Sequence, residues 1–453
     1  MNYSRVEFLV LFALFAALYW WIRSHRQRLL LLLAGSFAFY ASGTAADLPV
    51  LLMVIAITYG AGLAIGRWDR RANTIAAVAV TLLVADLAAF KYSAFIAESL
   101  PSGMLALPTL LVPLGISFFT FEAIAYIIDL KRGMTDVERS PLNVALYIAF
   151  FPHLIAGPIM RADDLIPQLK RYVVWDTARF VSGVELLVEG LVKKRLLADP
   201  VGLIADAVFA APATVGTPGA WIGVLAYTVQ IYADFSGYTD MARGMARILG
   251  LELPKNFNGP YVAHSVSDFW QRWHITLSTW LRDYLWIPLG GLRHGRFRPY
   301  YTVFLTMLIG GLWHGAGWTF VAWGAYQGAW LAFERRWRWS DRLPRWLAIA
   351  TTLFIIVNSW VLFRSQSFDA VWSLLNAMYV PHHGWLPTRR DIAYTLGAFV
   401  LIVGAMAVQR ARPQIADALR QPSIGRGLMY GTLAAAAIIA APTTTVPFIY
   451  FRF

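Results

Sequence analysis

Long runs of apolar residues limit what this chain can fold into more than any other feature of its sequence. A helix needs about 20 such residues to cross a bilayer. The clearest runs cover residues 6–22, 47–66, 74–90, 347–363, 392–408 and 427–442, and further candidates cover 28–43, 107–130, 142–160 and 219–236. We therefore predict an all-α polytopic membrane protein with about 10–11 transmembrane helices, some of them short or broken.

The composition excludes a soluble protein. Hydrophobic residues make up 58% of the chain and charged residues only 14%, whereas a soluble domain carries about 25% charged residues. A soluble fold of this composition would leave large apolar patches facing water. The sequence contains no cysteine, which excludes disulfides, thiolate nucleophiles and cysteine-bound metals.

Basic residues alternate between loops in a way that predicts topology. They cluster at 23–28, 67–71 and 131–132, whereas the intervening loops 41–47 and 92–103 carry no Lys or Arg. Cytoplasmic loops are enriched in Lys and Arg, so this pattern places the N-terminus outside, and the basic loops at 335–345 and 409–426 fit the same scheme. The net charge of +13 is therefore attributed to topology rather than to nucleic-acid binding.

The first apolar run, 6–22, has no small-residue cleavage site after it and is predicted to be a retained span. We predict one membrane domain over residues 1–453, with plain spans at 1–105 and 345–453 and an interrupted core at 107–335. Broken helices are tolerated at membrane depth only where protein or water surrounds them. The core is therefore predicted to hold re-entrant and interfacial helices in a central funnel.

Two segments of this core are poor simple spans. The run 303–333 contains GGLWHGAGW and is too long for one straight crossing, which predicts a kinked helix or a re-entrant hairpin. Residues 264–290 are rich in tryptophan and predict one amphipathic helix that lies along the interface or dips into a funnel rather than crossing the membrane.

Histidines within these segments are the first candidates for chemistry. His314 lies in an apolar stretch between Trp313 and Gly315, and an ionisable residue inside a span is a candidate functional residue. The neighbouring glycines leave room for a substrate. A histidine that hydrogen-bonds across helices would explain His314 equally well, and an interfacial polar residue would explain His274.

Other polar residues have structural interpretations. Asp234 is predicted to belong to a polar network that fixes helix packing, with Arg243 as the helical partner of Asp240. Glu122 is assigned a structural or channel-lining role. The spacing of His264 and Asp268 is discounted because such pairs recur by chance. The adjacent pair His382 and His383 is too few ligands for a metal, and no metal site is predicted.

Several stretches in the region from about 110 to 335 resemble the membrane-bound O-acyltransferase (MBOAT) family, and within it the bacterial alginate O-acetyltransferase branch. They are VPLGISFFTFEAIAYIIDLKRG, FFPHLIAGPIMR, YADFSGYTDMARGMARILGLELPKNFNGPY, SDFWQRWHITLSTWLRDYLWIPLGG and TMLIGGLWHGAGWTFVAWG. The resemblance implies that His314 is catalytic, that His274 is the second characteristic polar residue, and that both face a tunnel across the membrane. Many relatives carry a histidine where this chain has Gln327, which leaves a third-histidine role in doubt.

The resemblance also implies a function. An O-acyltransferase of this kind would move acetyl groups from a cytoplasmic donor, acetyl-CoA, across the bacterial inner membrane to a polysaccharide such as alginate. Transfer could be direct or through an extracytoplasmic SGNH-type acetyltransferase partner. His314 would act as the base, and His274 or a backbone N–H near Gly310, Gly311 or Gly315 would polarise the carbonyl. Transfer of D-alanine to teichoic acid and peptidoglycan O-acetylation are alternatives, and a transporter or flippase is the alternative from another class.

Overall fold

The computed structural model describes residues 3–100, 110–291, 297–412, 414, 423–439 and 447–449. Within these residues the chain is helical, and the one β contact is an isolated bridge between Val215 and Trp385. Inside a bilayer the backbone must satisfy its own hydrogen bonds, which a helix achieves within one segment. The prediction of an all-α protein is confirmed.

The first half of the chain forms α1 to α10. Their bounds are α1 Val6–Trp21, α2 His25–Thr44, α3 Leu48–Arg67, α4 Ala72–Ser99, α5 Ile116–Lys131, α6 Pro141–Ala149, α7 Phe151–Leu154, α8 Ala162–Leu169, α9 Thr177–Val192 and α10 Asp199–Ala210. A π-helical turn, Lys193–Ala198, joins α9 to α10.

The second half forms α11 to α19. Their bounds are α11 Thr217–Ile248, α12 Val266–Trp270, α13 Ile275–Leu281, α14 Arg298–His314, α15 Trp318–Trp337, α16 Arg345–Arg364, α17 Phe368–Tyr379, α18 Arg389–Ala411 and α19 Ile424–Ile439. A second π-helical turn, Arg282–Trp286, follows α13.

Four helical stretches among the described residues are long and apolar enough to cross a bilayer: His25–Arg67, Asp69–Ser99, Arg345–Arg364 and Arg389–Ala411. The apolar helices α1 and α19 are shorter. Together with the family assignment given below, these helices confirm a multi-pass membrane protein. The count of about 10–11 crossings stays a prediction.

The described residues form two compact units, one from residues 1–187 and 238–255 and the other from 188–237 and 256–453. In the first unit, α3 and α4 bury Leu51 and Leu83 and leave Leu52 and Leu82 exposed, as expected for helices with one face on protein and one on lipid. The second unit contains both candidate histidines. The prediction of one domain over the whole chain stays a prediction.

Two of the predicted spans differ from the observed helices. The run 142–160 is not a continuous helix, because α6 ends at Ala149 and a short α7 follows. Pro152 explains the break, since proline removes a backbone donor and clashes with the preceding turn. The run 219–236 lies within α11, which is 32 residues long and extends through a more polar second half to Ile248.

The prediction of a single helix over 264–290 is wrong. The segment contains the short helices α12 and α13, and His274 between them has a left-handed backbone with φ 43°. A left-handed residue cannot continue a right-handed helix.

The predicted break in the run 303–333 is confirmed, because α14 and α15 are separate helices joined by Gly315–Gly317. The two pack closely as a hairpin. A Cβ atom on Gly311 would lie 2.3 Å from the carbonyl oxygen of Phe320, and one on Gly324 would lie 2.4 Å from that of Met307. Only glycine permits backbones to approach this closely.

Candidate active site

His314 is the last residue of α14 and is 4% exposed. Its imidazole meets the rings of Trp323 and Phe363 edge-on, with centroids 5.1 and 5.2 Å away and interplanar angles of 89° and 72°. Trp313 also packs against it, at 4.9 Å. The α14–α15 hairpin therefore places an ionisable ring inside an aromatic cluster that keeps water away from it.

His274 is fully buried at the start of α13. Asn256 fixes the backbone beside it: its carbonyl accepts a hydrogen bond from the N–H of Ile275 at 3.0 Å, and its side-chain oxygen accepts from the N–H and hydroxyl of Thr276 at 3.2 and 2.7 Å. A non-glycine residue with positive φ stores backbone strain, and such residues concentrate at functional sites. No residue pattern around His274 predicts this strain.

The two histidines are neighbours, although 40 positions separate them in the sequence. Their ring centroids lie 6.4 Å apart. Trp313 lies 6.1 Å from His274, and Phe235 of α11 meets His274 edge-on at 4.6 Å. The structure thus brings together the two residues that the resemblance selects.

A buried ion network lies next to Phe235 in the chain. The ammonium of Lys194 is 2.8 Å from Asp199 and 2.9 Å from Asp234, and all three side chains are at most 3% exposed. The other oxygen of Asp234 accepts a hydrogen bond from the backbone N–H of Ile449 at 2.8 Å. The predicted polar network at Asp234 is therefore present, but sequence reasoning missed Lys194 and Asp199. Lys194 lies in the π-helical turn Lys193–Ala198, which no residue pattern indicates, and Asp199 begins α10 directly after it.

The second unit also contains a large cavity of about 810 Å³. Its wall includes Trp270 and the guanidinium-bearing residues Arg282, Arg335 and Arg338, while neither candidate histidine lines it. Trp270 packs edge-on against Trp323, with centroids 5.7 Å apart. The indole of Trp323 thus touches both the cavity wall and the ring of His314.

The discounted pair His264 and Asp268 is a real contact at the wall of this cavity. The Nδ1 atom of His264 lies 2.8 Å from a carboxylate oxygen of Asp268, whose other oxygen accepts from Arg272 at 2.5 Å. Burial alone would raise the pKa of Asp268, but the hydrogen bonds from Arg272 and the backbone N–H of His264 hold the pKa below its ordinary value. Asp268 is therefore a carboxylate that orients the His264 ring.

Predicted polar contacts of the first unit are also present. Arg243 lies 3.3 Å from Asp240, as expected one turn along α11. Glu122 accepts a hydrogen bond from the backbone N–H of Met160 at 2.8 Å and lies 3.1 Å from His153, and both side chains are buried. The structural role predicted for Glu122 fits these contacts.

Comparison with known proteins identifies the family. The sequence model of the membrane-bound O-acyltransferase family matches residues 136–363. The chain is 42% identical over 393 residues to "Probable alginate O-acetylase AlgI" of Azotobacter vinelandii, covering 84% of this chain and 78% of that protein. It is also 42% identical over 392 residues to the protein of the same name from Pseudomonas aeruginosa, covering 84% and 75%.

The chain is a membrane-bound O-acyltransferase. A "Peptidoglycan O-acetyltransferase" from Helicobacter pylori is 35% identical over 389 residues, covering 78% of this chain and 73% of that protein. The matched region contains both His274 and His314. The acyltransferase therefore places its two adjacent buried imidazoles within the segment that defines the family.

Two predictions about this acyltransferase stay predictions. Among the described residues, no three His, Cys, Asp or Glu side chains are grouped as a metal site. His294 lies outside the described residues, so the absence of a metal site stays a prediction. The catalytic roles of His314 and His274 likewise stay predictions.

Proposed function

We propose that this acyltransferase takes acetyl groups from acetyl-CoA at the cytoplasmic face and delivers them to a polysaccharide outside the membrane. The observation that carries the proposal is the pair of buried imidazoles, His314 and His274, 6.4 Å apart. The names of the two 42% identical relatives support acetyl as the group transferred and alginate as the type of acceptor.

The arginine-lined cavity supports an acyl donor that carries phosphates. Arg335 has no acidic partner among the described residues, whereas Arg282 and Arg338 pair with Asp283 and Asp341 at 2.7 and 2.8 Å. Guanidinium groups bind phosphate through charge-assisted hydrogen bonds. The diphosphate of acetyl-CoA would lie by these arginines, and the thioester would extend past Trp270 toward the histidine pair.

The reaction needs one base and one site for developing negative charge. The imidazole of His314 takes the proton of an acceptor hydroxyl, whose oxygen then bonds to the carbonyl carbon of the thioester. The carbonyl oxygen holds the displaced electron pair, with His274 as a donor to it, until the C–S bond breaks. The departing thiolate takes the proton from the imidazolium, so that coenzyme A leaves as a thiol and His314 is neutral again.

Charge placement supports the orientation of this reaction. The loop 335–345 is basic and belongs on the cytoplasmic side by the distribution of Lys and Arg. Arg335 and Arg338 of the cavity lie in or beside this loop, so the donor would enter from the cytoplasm. The same reasoning puts the N-terminus outside a bacterial inner membrane. The acetyl group would pass directly to a polymer hydroxyl, and an extracytoplasmic SGNH-type acetyltransferase is the alternative acceptor that would pass it on to the polymer.

Replacement of His314 by alanine tests the proposal in cells that produce an acetylated exopolysaccharide. We expect the acetyl content of the polymer to fall about 100-fold or more, because a positioned general base contributes about 10²–10⁴ to the rate. His383→Ala is the matched control, since His383 is exposed in the loop after α17 and its loss should leave acetylation unchanged.

Chemical analysis of the polymer and of the amount of protein in the membrane decides the outcome. Unchanged acetylation by a His314→Ala protein present at normal levels would overturn the proposal and favour a transporter or flippase. Loss of D-alanine from teichoic acid, or of acetyl groups from peptidoglycan alone, would indicate a different acceptor for the same type of acyl transfer. The Helicobacter pylori relative makes peptidoglycan the second candidate acceptor.

A further inference from the structure

Two buried N–H groups on α15 have no acceptor among the described residues. They are the indole Nε1 of Trp323 and the amide Nε2 of Gln327. The side chains of Trp323 and Gln327 are 1% and 0% exposed, so bulk water does not reach them. A buried donor without an acceptor costs free energy, and proteins retain such groups mainly where they have a use.

The orientation of the Gln327 amide follows from its contact with Trp270. The indole Nε1 of Trp270 lies 3.3 Å from the side-chain oxygen of Gln327. An indole N–H can only donate, so the amide atom facing it must be the oxygen. The NH₂ group of Gln327 is therefore directed away from Trp270 and is held in place by this bond.

The two donors share one face of α15, and one of them adjoins the proposed base. Trp323 and Gln327 are four residues apart, which places them one above the other on a helix. The ring of Trp323 lies edge-on to His314 at 5.1 Å and packs against Trp270 of the cavity wall at 5.7 Å. Trp323 thus lies between the cavity-wall residue Trp270 and His314, and Gln327 is hydrogen-bonded to the same Trp270.

Two of the backbone donors expected from the sequence, those of Gly310 and Gly311, are not available for this purpose. Gly310 and Gly311 are interior residues of α14, so their N–H groups are directed at carbonyls one turn earlier in their own helix. A Cβ atom on Gly315 would lie 2.2 Å from the ring of Phe320, which leaves little free space beside that residue. Buried side-chain N–H groups near His314 are therefore candidates for the donors that the thioester oxygen needs.

We infer that Trp323 and Gln327 are catalytic residues whose N–H groups hold the carbonyl oxygen of the acyl thioester. The inference rests on the proposed function. When the acceptor oxygen attacks, the carbonyl π electrons move onto this oxygen, and both donors stabilise its negative charge until the C–S bond breaks. Donors fixed before the reaction stabilise the transition state more than the ground state.

Kinetics of acetyl transfer in membrane vesicles that contain the full chain test the inference, with acetyl-CoA as donor and alginate oligosaccharide as acceptor. Trp323→Phe retains an aromatic ring beside His314 and removes only the indole N–H and some volume. Gln327→Leu removes the amide. Each should lower kcat on the order of 100-fold and change the KM for acetyl-CoA less than about 3-fold, because the lost contact matters only in the transition state.

Matched variants separate this role from packing. Trp360 stacks on Trp323 at 6.3 Å and 17° and also carries a buried indole N–H, but it is not among the rings that pack against His314. Trp360→Phe therefore removes the same group and similar volume one ring away from the proposed base, and should lower kcat less than about 5-fold. Trp270→Phe frees the Gln327 amide to rotate but keeps the amide N–H groups. Its decrease in kcat should lie between the decrease for Trp323→Phe and the decrease for Trp360→Phe. Gln327→His restores a ring N–H and should recover at least part of the lost kcat.

The outcomes distinguish this inference from the proposed function. Losses confined to KM, or equal losses in Trp323→Phe and Trp360→Phe, would overturn the donor assignment. His314→Ala could abolish transfer while Trp323→Phe and Gln327→Leu keep kcat within about 3-fold. That result would support His314 as the base and would contradict Trp323 and Gln327 as donors to the carbonyl oxygen. If His314→Ala itself retains transfer, the proposed function fails.

Discussion

Helices α3 and α4 are built differently from the segment between residues 256 and 286. The two helices run for 20 and 28 residues without interruption and bury mainly apolar side chains. The other segment has a 3₁₀ turn, two short α-helices, a π-helical turn and a left-handed histidine over a similar length. It also buries His274, Asp268 and Asn256.

The difference shows where the free energy of folding is used for function. A regular apolar helix is the least costly way to fill a membrane, because it satisfies its own backbone. An irregular segment with buried polar groups persists only when surrounding contacts compensate for it. Asn256 and the aromatic rings around His274 supply such contacts, which makes this segment the candidate site.

The largest stability effect should come from the buried ion network. Lys194→Met leaves Asp199 and Asp234 as two buried carboxylates without their shared cation, which should cost about 3–5 kcal/mol. We expect a large drop in the thermal unfolding midpoint in detergent or a loss of folded protein. Arg338→Met is the comparison, because its partner Asp341 is half exposed and the Arg338 side chain is 79% exposed.

An exposed ion pair contributes about 0–1 kcal/mol, so the Arg338→Met protein should unfold close to the wild-type temperature. Equal effects of Lys194→Met and Arg338→Met would contradict the difference in burial between the two ion pairs.

Glycine substitutions compare the close contact between α14 and α15 with the regular helix α3. We expect a smaller change in stability than for Lys194→Met. A Cβ atom on Gly324 meets the Met307 carbonyl at 2.4 Å, while one on Gly60 in α3 meets nothing within 4 Å. Gly324→Ala should therefore force α14 and α15 apart and cost about 1–3 kcal/mol. Gly60→Ala should be neutral or slightly stabilising, because alanine reduces the freedom of the unfolded chain.

Unfolding midpoints of both proteins, together with acetylation activity, check this prediction. The Gly324→Ala protein should also lose activity, because His314 lies at the end of the displaced helix. A Gly324→Ala protein that is as stable and active as Gly60→Ala would mean that the hairpin is not closely packed.

The smallest effect concerns the left-handed backbone at position 274. Asparagine tolerates positive φ and β-branched residues do not. His274→Val should therefore be less stable than His274→Asn by about 1 kcal/mol, while both lose the imidazole and with it part of the activity. Two variants with the same unfolding midpoint would indicate that the backbone of residue 274 is not strained.

Sequence reasoning predicted the regular part of the fold better than the irregular part. The spans at 6–22, 47–66 and 392–408 became α1, α3 and α18 because uninterrupted apolar residues determine a helix locally. The break at His274 could not be predicted, because it depends on Asn256, which is distant in sequence. The failure of the single-helix prediction for 264–290 thus marks the site itself.

The residues of the candidate site show the same contrast between what the local sequence determines and what depends on the fold. His314 was found because a histidine within an apolar, glycine-rich stretch is conspicuous, and the resemblance selected His274. Sequence reasoning did not select Trp323, and it considered Gln327 only as a departure from a histidine. Their N–H groups become informative only when burial and the bond from Trp270 are known.

The central claim is that His314 is the base for transfer of an acyl group from acetyl-CoA. Proteoliposomes that contain the full chain, given radiolabelled acetyl-CoA and alginate oligosaccharide, test it most directly. The account predicts label on the acceptor with the wild-type and His383→Ala proteins, and about 100-fold less or none with His314→Ala at equal amounts of folded protein. Labelling by His314→Ala at the wild-type rate would contradict it.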